Sequence, residues 1–416
     1  MVLDRWEYAK QIIPGGSQVV SKRAERFLPD GWPAFYAMCK GCMCYDDMGN
    51  TYIDFAGMGV GSCVLGYADD DIDDAVVSAI RNGVMSTLNN YKEVELAEKL
   101  IHLHPWAEMA RYAKTGGEAC AVAVRLARAA SGKEDVAVSG YHGWHDWYLA
   151  ANLHNSSELD EHLLKGLEPK GVPGCLYGTT WPFKYGDIDE LEEIILALDG
   201  DLGTIIMETG RGRVDKEFLF AVRRLANQHD IVLIFDEVTS GFRVNVGGLH
   251  MTTGVYPDLA VFGKAMGNGY PISAVIGKRS VMEQDAFISS TMWSEATGVA
   301  AASATLDKMA RLDVPSIVSH YGTEICSGLR SLGFNVDAGI PPLLYINTDD
   351  TEQTLLTQEM LKKGYLFGNS VYSSYAYTED IIQQFLLNLE EVTGKVRQGG
   401  VQLEGRVKTD GFRRLT

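Results

Sequence analysis

The sequence has no long apolar segment and no excess of basic residues. Spanning a membrane takes about 18 or more consecutive apolar residues in one helix, and no run in the 416 residues comes near that length. Lys and Arg number 37 and Asp and Glu number 55, which gives a net charge of −18. A charge of this sign repels nucleic acids and anionic membrane surfaces. We therefore expect neither nucleic acid nor a membrane as a partner.

Proline-rich segments, flexible linkers and internal repeats are also missing. The chain has 12 prolines, 46% hydrophobic residues and 22% charged residues, which is close to the averages of globular proteins. These values exclude collagen-like and largely disordered chains. Because 416 residues exceed the usual length of one domain, the sequence predicts a large domain together with a smaller one.

The seven cysteines form no recognisable disulfide or metal framework. The first residues, MVLDRWEYAK, lack the apolar stretch of a signal peptide, so we expect a cytoplasmic protein whose cysteines are thiols. Cys39, Cys42 and Cys44 begin with a Cys-x2-Cys pair, but no second Cys or His pair follows at the spacing of a zinc site. We predict no metal, and a turn between two strands at residues 46–50.

Five short β-branched or aliphatic runs each end in a small or polar residue and precede a helical pattern. Continuous apolar runs of this length are typical of strands that are covered on both faces, as in a mainly parallel sheet. Residues 191–198 and 218–229 repeat apolar side chains at helical spacing, as helices covering a sheet do. The sequence therefore predicts the α/β class with a mainly parallel central sheet. The five runs are residues 136–139, 204–207, 231–235, 259–262 and 274–276.

The pattern changes after about residue 310. A strand is expected at residues 343–347, with helices at about 352–363 and 378–393. This order indicates a smaller α+β domain, and the turn-rich start of the chain is expected to pack with it. We predict an N-terminal segment at 1–60, a large domain at 61–310 and a small C-terminal domain at 311–416.

Polar residues follow four of the predicted strands. Tyr141 follows the first, Glu208 the second, Asp236 the third, and Lys264 follows the fourth after one glycine. Ligands of open α/β sheets bind beyond the carboxyl ends of the strands, so we expect these side chains to converge. A lysine, two acids and an aromatic ring give such a site nucleophilic and acid–base capacity.

A possible phosphate site lies further towards the N-terminus. Thr115, Gly116 and Gly117 precede a predicted helix at residues 119–130. Small residues at a helix N-terminus leave backbone N–H groups open to a dianion, and Thr115 adds a hydroxyl. The same residues also describe an ordinary helix cap. With Lys264 and Asp236, however, they match the needs of pyridoxal 5′-phosphate, which binds a lysine as a Schiff base and whose ring nitrogen pairs with a carboxylate.

Two segments resemble a known family. Residues 231–244 (IVLIFDEVTSGFRV) and 261–277 (VFGKAMGNGYPISAVIG) are similar to the signature of the class III, fold type I, pyridoxal-phosphate aminotransferases. The resemblance extends from Pro14 to the helix after Gly298, and the glutamate-1-semialdehyde aminomutase-like branch is the most similar. It implies a fold type I transferase that uses pyridoxal 5′-phosphate.

The resemblance also implies roles for individual residues. Lys264 is the imine-forming lysine, and Asp236 pairs with the ring nitrogen of the cofactor. Thr291 reaches the phosphate of a neighbouring subunit, which implies a homodimer with composite sites. The cofactor-binding positions implied in this way are Thr115, Gly116, Gly117, Tyr141, Glu208, Val238 and Thr291.

Departures from the aminomutase pattern favour transfer of an amino group between two molecules. Where aminomutases continue with Ser-Gly-Asn-Pro after the threonine, Thr291 precedes Met292 and Trp293. Residues 140–147 (GYHGWHDW) look more like aminotransferases of sugar pathways. We expect an amino-acid donor such as glutamate and a small carbonyl acceptor, of which a sugar derivative is one example. A glutamate-1-semialdehyde 2,1-aminomutase and an amino-acid racemase or epimerase remain alternatives, because both use the same lysine and aspartate.

Overall fold

The computed structural model describes residues 5–162 and 164–409. Within them the strands are, in chain order, β1 (Tyr36–Lys40), β2 (Met43–Asp46), β3 (Thr51–Phe55), β4 (Met109–Ala113), β5 (Asp135–Ser139), β6 (Thr180–Pro182), β7 (Leu202–Glu208), β8 (Val232–Asp236), β9 (Leu259–Phe262), β10 (Ser273–Gly277), β11 (Asn335–Ile340), β12 (Leu343–Asn347), β13 (Tyr365–Phe367) and β14 (Ser370–Tyr372). The α-helices are α1 (Arg5–Ile12), α2 (Met58–Gly61), α3 (Asp70–Asn82), α4 (Lys92–Leu103), α5 (Gly116–Ser131), α6 (Asp146–Leu149), α7 (Ile188–Ala197), α8 (Lys216–Gln228), α9 (Arg279–Met282), α10 (Ala296–Leu312), α11 (Val314–Ser331), α12 (Asp350–Lys362) and α13 (Glu379–Arg397).

The chain divides into two compact units. One comprises Asp70–Ser316, and the other comprises Met1–Asp69 with Ile317–Thr416. The first unit contains a seven-stranded sheet in the order β4-β10-β9-β8-β7-β5-β6. Strands β5 to β9 run parallel, whereas β10 pairs antiparallel with both β9 and β4. The predicted α/β class with a mainly parallel sheet is therefore confirmed, with one antiparallel strand inside it.

The central strands of this sheet are covered on both faces, as their apolar sequences predict. Every residue of β7 and β8 is buried. One face packs against α5, whose Val122 and Leu126 are buried in the same cluster as Ile206. The other face packs against α7 and α8, where Leu219 joins a cluster with Leu233. Burial of this kind makes the sheet a rigid base for the side chains at its edge.

The second unit contains two smaller sheets and the helices α12 and α13. Strand β3 pairs antiparallel with β2 and parallel with β13, so the beginning and the end of the chain share one sheet. The rings of Phe55 and Phe385 stack with their centroids 3.9 Å apart in its core. Among the described residues, no helix is both long and apolar enough to cross a membrane.

Candidate active site

Four of the predicted site residues lie together at the carboxyl end of the large sheet. Glu208 is the last residue of β7 and is paired in register with Asp236, the last residue of β8. Tyr141 follows β5 by two residues, and Lys264 follows β9 by two residues. The amide of Tyr141 donates to Glu208 Oε1 over 3.4 Å. The convergence expected from the strand ends is therefore observed.

Asp236 is a buried carboxylate held by three hydrogen bonds. His142 Nδ1 lies 2.8 Å from its Oδ2 and Cys120 Sγ donates to the same oxygen over 3.3 Å, while the amide of Val238 donates to Oδ1 over 2.9 Å. Burying a carboxylate is costly unless such partners satisfy it. The ligand atoms of Cys120, His142 and Asp236 lie within 4.8 Å of one another, but these hydrogen bonds already satisfy the cluster without an ion.

The surroundings of the Lys264 side chain lower the pKa of its amine. Its Nζ donates to Thr239 Oγ1 over 2.9 Å. Burial, and then the positive charges of Arg211 and Arg243, lower the pKa of Lys264 to about 8. A larger fraction of the amine is therefore uncharged near neutral pH than in an ordinary lysine. The backbone of Lys264 has a φ of +40°, a strained conformation that is concentrated at functional sites.

The predicted phosphate site is the first turn of α5. Thr115 is its N-cap: the hydroxyl accepts from the amide of Glu118 over 3.3 Å, and the Glu118 carboxylate accepts from the amide of Thr115 over 2.8 Å. This capping box confirms the helix-cap interpretation and occupies the Thr115 hydroxyl, whereas the anion site stays a prediction. The amides of Gly116 and Gly117 are the first two of the helix and have no partner within it. Amides in this position of a helix can donate to an anion.

Close packing explains the glycine at position 116. A Cβ atom there would lie 2.8 Å from Val238 Cγ1, and a Cβ atom at Gly117 would lie 3.1 Å from the ring of His145. The Val238 side chain is also 3.5 Å from the Cβ position of Gly263, which precedes Lys264. Val238 therefore lies between the helix turn and the lysine segment. This position is compatible with the cofactor-binding role that the family resemblance implies for Val238.

Glu208 and Tyr141 complete the described part of the site. The buried Glu208 forms an ion pair with Arg211, whose Nε donates to Oε2 over 2.7 Å. Burial opposes ionisation of Glu208, but Arg211 outweighs it and holds the pKa of Glu208 below its usual value. Burial, followed by the charges of Cys120 and Asp236, raises the pKa of Tyr141. The Tyr141 hydroxyl is therefore the protonated form and can donate a hydrogen bond.

Thr291 lies in a different setting. It begins a short 3₁₀ turn, Thr291–Ser294, and is exposed to solvent in the single chain. The turn lies near the start of α5, because Trp293 Nε1 donates to Glu118 Oε1 over 3.3 Å. An ion pair between Lys114 and Glu295 supports the same arrangement. The contact of Thr291 with a neighbouring subunit stays a prediction.

Three residues that contact the predicted site residues were not predicted from the sequence. They are Cys120, Arg211 and Thr239. Cys120 is four residues after Gly116 on the same helix, so helical spacing alone could have placed it over the site. Arg211 is three residues after Glu208 in a loop, and no periodicity reports on loop conformation. Thr239 is three residues after Asp236, within the family-like segment, but its partner Lys264 is distant in sequence.

Comparison with known proteins identifies the family. The aminotransferase class-III family pattern matches residues 29–338. A 3-aminobutyryl-CoA aminotransferase of Cloacimonas acidaminovorans is 37% identical over 84% of each chain. A 2′-deamino-2′-hydroxyneamine transaminase of Streptomyces kanamyceticus is 28% identical over 87% of this chain and 92% of its own. A glutamate-1-semialdehyde 2,1-aminomutase of Methanothrix thermoacetophila is 31% identical over 79% of this chain and 76% of its own.

The fold agrees with this assignment. The PLP internal aldimine form of the FumI protein of Sphingopyxis sp. MTA144 has a TM-score of 0.85 and 24% identity, covering 96% of this chain and 97% of its own. The site also fits pyridoxal phosphate, since it offers a buried carboxylate in Asp236 and an amine of lowered pKa in Lys264. It further offers the first amides of α5, at Gly116 and Gly117, which have no partner within the helix. The chain belongs to the class-III aminotransferases, fold type I enzymes that use pyridoxal phosphate.

Proposed function

We propose that the protein transfers an amino group from an amino acid, with glutamate as the donor, to a small carbonyl acceptor. The observation that favours transfer over isomerisation is the 37% identity with an enzyme named as an aminotransferase. Lys264, with a pKa of about 8, and the hydrogen-bonded carboxylate of Asp236 supply the cofactor chemistry that all three reactions share. Pyridoxal phosphate, when bound, supplies an aldehyde that condenses with amines and a ring that delocalises the electron pair of the substrate carbon.

The side chains divide the work of such a reaction. Asp236 holds a proton on the ring nitrogen through a charge-assisted hydrogen bond. The amides of Gly116 and Gly117 bind the phosphate, and Tyr141 and Val238 flank the ring. Lys264 Nζ anchors the cofactor and then carries protons to and from the reacting carbon, because its lowered pKa lets it both accept and donate them near neutral pH.

The first expected result concerns pH. Because the unprotonated amine is the nucleophile, covalent attachment of pyridoxal phosphate to the cofactor-free protein speeds up as pH rises through the pKa of Lys264. We expect the midpoint near 8 rather than near the ordinary value of 10.5. Stopped-flow absorbance at a series of pH values measures it. Arg211→Met removes a positive charge that lowers the pKa of Lys264, so we expect this variant to have a higher midpoint. Arg213→Met is the control and should leave the midpoint unchanged. A wild-type midpoint above 10 would contradict the account.

Arg211 is the proposed receptor for the carboxylate of the donor. Its guanidinium is one-fifth exposed and already binds one carboxylate, that of Glu208, so the carboxylate of an amino acid can replace that partner with the same geometry. We expect Arg211→Gln to raise the KM for glutamate about tenfold to a hundredfold, the range of one charge-assisted hydrogen bond. Steady-state kinetics measure this, with Arg213→Gln as the matched control because Arg213 binds the Tyr185 carbonyl instead. Equal KM values in the two variants would remove Arg211 from the role.

Two acceptor classes are supported by different relatives. The 28% identical relative is named as a 2′-deamino-2′-hydroxyneamine transaminase and the 37% identical relative as a 3-aminobutyryl-CoA aminotransferase. We therefore propose two acceptors for comparison: the sugar-derived carbonyl compound expected from residues 140–147, and a 3-oxoacyl thioester of coenzyme A, which is the carbonyl counterpart of a 3-aminoacyl thioester. Each acceptor is incubated with the loaded enzyme and glutamate, and the 2-oxoglutarate released beyond one equivalent per site is measured. The acceptor class is assigned if kcat/KM is at least about tenfold higher for one class than for the other. This ratio corresponds to a difference of about 1.4 kcal/mol in transition-state binding. If neither acceptor class supports this release of 2-oxoglutarate, both acceptor proposals are wrong.

We further propose a cytoplasmic homodimer with composite active sites. The exposed Thr291 is followed by Met292, and Leu88 and Phe287 in the same unit are 80% and 86% exposed. Large apolar side chains exposed to this degree often mark protein interfaces.

Subunit mixing tests the shared sites. Mixing Lys264→Ala and Thr291→Ala subunits gives heterodimers in which one of the two sites has both residues intact. We therefore expect activity to return when the two inactive or weakened proteins are mixed. Native mass spectrometry confirms that mixed dimers form, and mixed dimers without regained activity would show that the sites are not shared.

A further inference from the structure

The thiols of Cys39 and Cys44 are in contact with each other outside the proposed active site. Their Sγ atoms lie 3.5 Å apart, joined by a hydrogen bond. Cys39 is in β1 and Cys44 is in β2, and the register of the two antiparallel strands places them directly opposite each other. The aminotransferase chemistry proposed above uses neither residue.

The hairpin geometry brings the two backbones close together. Lys40 and Met43 are the paired residues that flank a two-residue connection, Gly41 and Cys42. Gly41 has a φ of +60°, the conformation that the first position of a type II′ hairpin turn requires and that glycine adopts most easily. In such a hairpin the flanking pair exchanges hydrogen bonds, so the next pair outward, Cys39 and Cys44, is a non-hydrogen-bonded pair. Cα atoms in these pairs are about 4.5 Å apart, within the range that a disulfide spans.

The two thiols differ in access and in acidity. Cys39 is partly exposed, whereas Cys44 is 8% exposed. The hydrogen bond with Cys44 outweighs burial and lowers the pKa of Cys39, and the pKa of Cys44 is raised, first by the same hydrogen bond and then by burial. The exposed member of the pair is therefore the better nucleophile, and the buried member is placed behind it.

We propose that Cys39 and Cys44 form a reversible cross-strand disulfide when the protein meets a peroxide. The Cys39 thiolate attacks one oxygen of hydrogen peroxide, the O–O bond breaks, and hydroxide leaves to give a sulfenic acid on Cys39. The Cys44 sulfur then attacks the Cys39 sulfur and displaces the hydroxyl group, which leaves as water with the thiol proton. In total the two thiols and one peroxide give one disulfide and two waters, and the two electrons lost by sulfur reduce the peroxide.

The disulfide is expected to be reversible because the loop that it closes is short. The bond closes a loop of only a few residues, and short loops gain the least stability from cross-linking. Disulfides that contribute little stability are the ones that thiol reductants reopen readily. Other cysteines do not compete equally. Within residues 5–162 and 164–409, no sulfur is in hydrogen-bond contact with the exposed Cys175, and Cys63 contacts the Ser62 hydroxyl.

Peptide mapping tests the proposal on the full-length protein loaded with pyridoxal phosphate. After treatment with hydrogen peroxide and alkylation of the remaining thiols, trypsin cuts after Lys40 and separates Cys39 from Cys44. We expect the peptide of residues 27–40 to be linked to the peptide of residues 41–81, and dithiothreitol to release both. Because the second peptide also contains Cys42 and Cys63, Cys44→Ser must reduce the linked species to background, while Cys42→Ser and Cys63→Ser must retain it.

Several outcomes overturn the proposal. If the peptide of residues 27–40 stays unlinked under conditions that oxidise Cys175, Cys39 and Cys44 do not form a disulfide. Linkage that survives in Cys44→Ser assigns the bond to another cysteine. A bond that dithiothreitol does not open contradicts reversibility. Unchanged circular dichroism and cofactor absorbance in each serine variant ensure that the comparison is made between folded proteins.

Discussion

Lys264→Ala abolishes covalent attachment of pyridoxal phosphate and lowers turnover by at least about 100-fold and up to about 10,000-fold, the range in which a positioned acid–base group contributes to catalysis. Lys264 follows β9, which pairs with the strand that ends at Asp236, and its Nζ donates to Thr239. Its pKa of about 8 suits both nucleophilic attack and proton transfer. The yellow absorbance of the lysine-bound cofactor should therefore disappear together with activity.

Borohydride reduction followed by peptide mass spectrometry locates the attachment site directly. In the wild type we expect the cofactor on the peptide that contains Lys264 and on no other lysine. Lys264→Arg keeps the positive charge but cannot form the bond, so it should lose activity as fully as Lys264→Ala. Lys216→Ala, at the exposed start of α8, is the matched control and should behave as wild type. Cofactor found on a different lysine, or near-normal turnover in Lys264→Ala, would refute the assignment.

Asp236→Asn weakens retention of pyridoxal phosphate about tenfold to a hundredfold, which corresponds to the loss of one charge-assisted hydrogen bond of about 1.5–3 kcal/mol. The substitution preserves the shape of a side chain held by His142 and Cys120, but it removes the charge that keeps a proton on the ring nitrogen. Turnover should fall further than affinity, because the ring then delocalises electrons less effectively.

A second buried aspartate separates this effect from general destabilisation. Asp258 is also buried and paired, with Arg223 and Lys278, but it lies immediately before β9, at the opposite end of the strand from Lys264. Asp258→Asn should lower the free energy of unfolding while leaving the cofactor dissociation constant unchanged. Equilibrium dialysis and thermal unfolding of both variants measure the two quantities. Equal loss of cofactor from both variants would mean that Asp236 acts only through the fold.

The sequence was informative where strand order and residue chemistry act together. Asp236 and Lys264 could be located because each ends, or follows, an apolar strand, and carboxyl ends of parallel strands meet at one edge. The direction of β10 could not be predicted in this way, since the short apolar run at residues 274–276 has the same pattern in a parallel and an antiparallel strand. The antiparallel pairing of β10 with β9 and β4 is decided by the connections around it.

Contacts between residues that are far apart in the sequence could not be predicted from sequence patterns. Cys120 donates to Asp236 across 116 positions of sequence, and only the packing of α5 on the sheet brings them together. The ion pair of Arg211 with Glu208 depends on the path of a loop. Thr115 illustrates a different limit: its residue type fits both a helix cap and a phosphate ligand, and the capping box that forms became visible only in three dimensions.

The most direct test of the proposed function is a single half-reaction. The enzyme loaded with pyridoxal phosphate is mixed with glutamate, and absorbance spectra follow the cofactor while the oxo acid is quantified. We expect the cofactor to convert to its aminated form, pyridoxamine phosphate, with release of one 2-oxoglutarate for each site, and we expect no conversion in Lys264→Ala. Exchange of the glutamate α-hydrogen with loss of chirality and no oxo acid would identify a racemase. Turnover of glutamate-1-semialdehyde, without conversion by any amino-acid donor, would contradict the account in favour of an aminomutase.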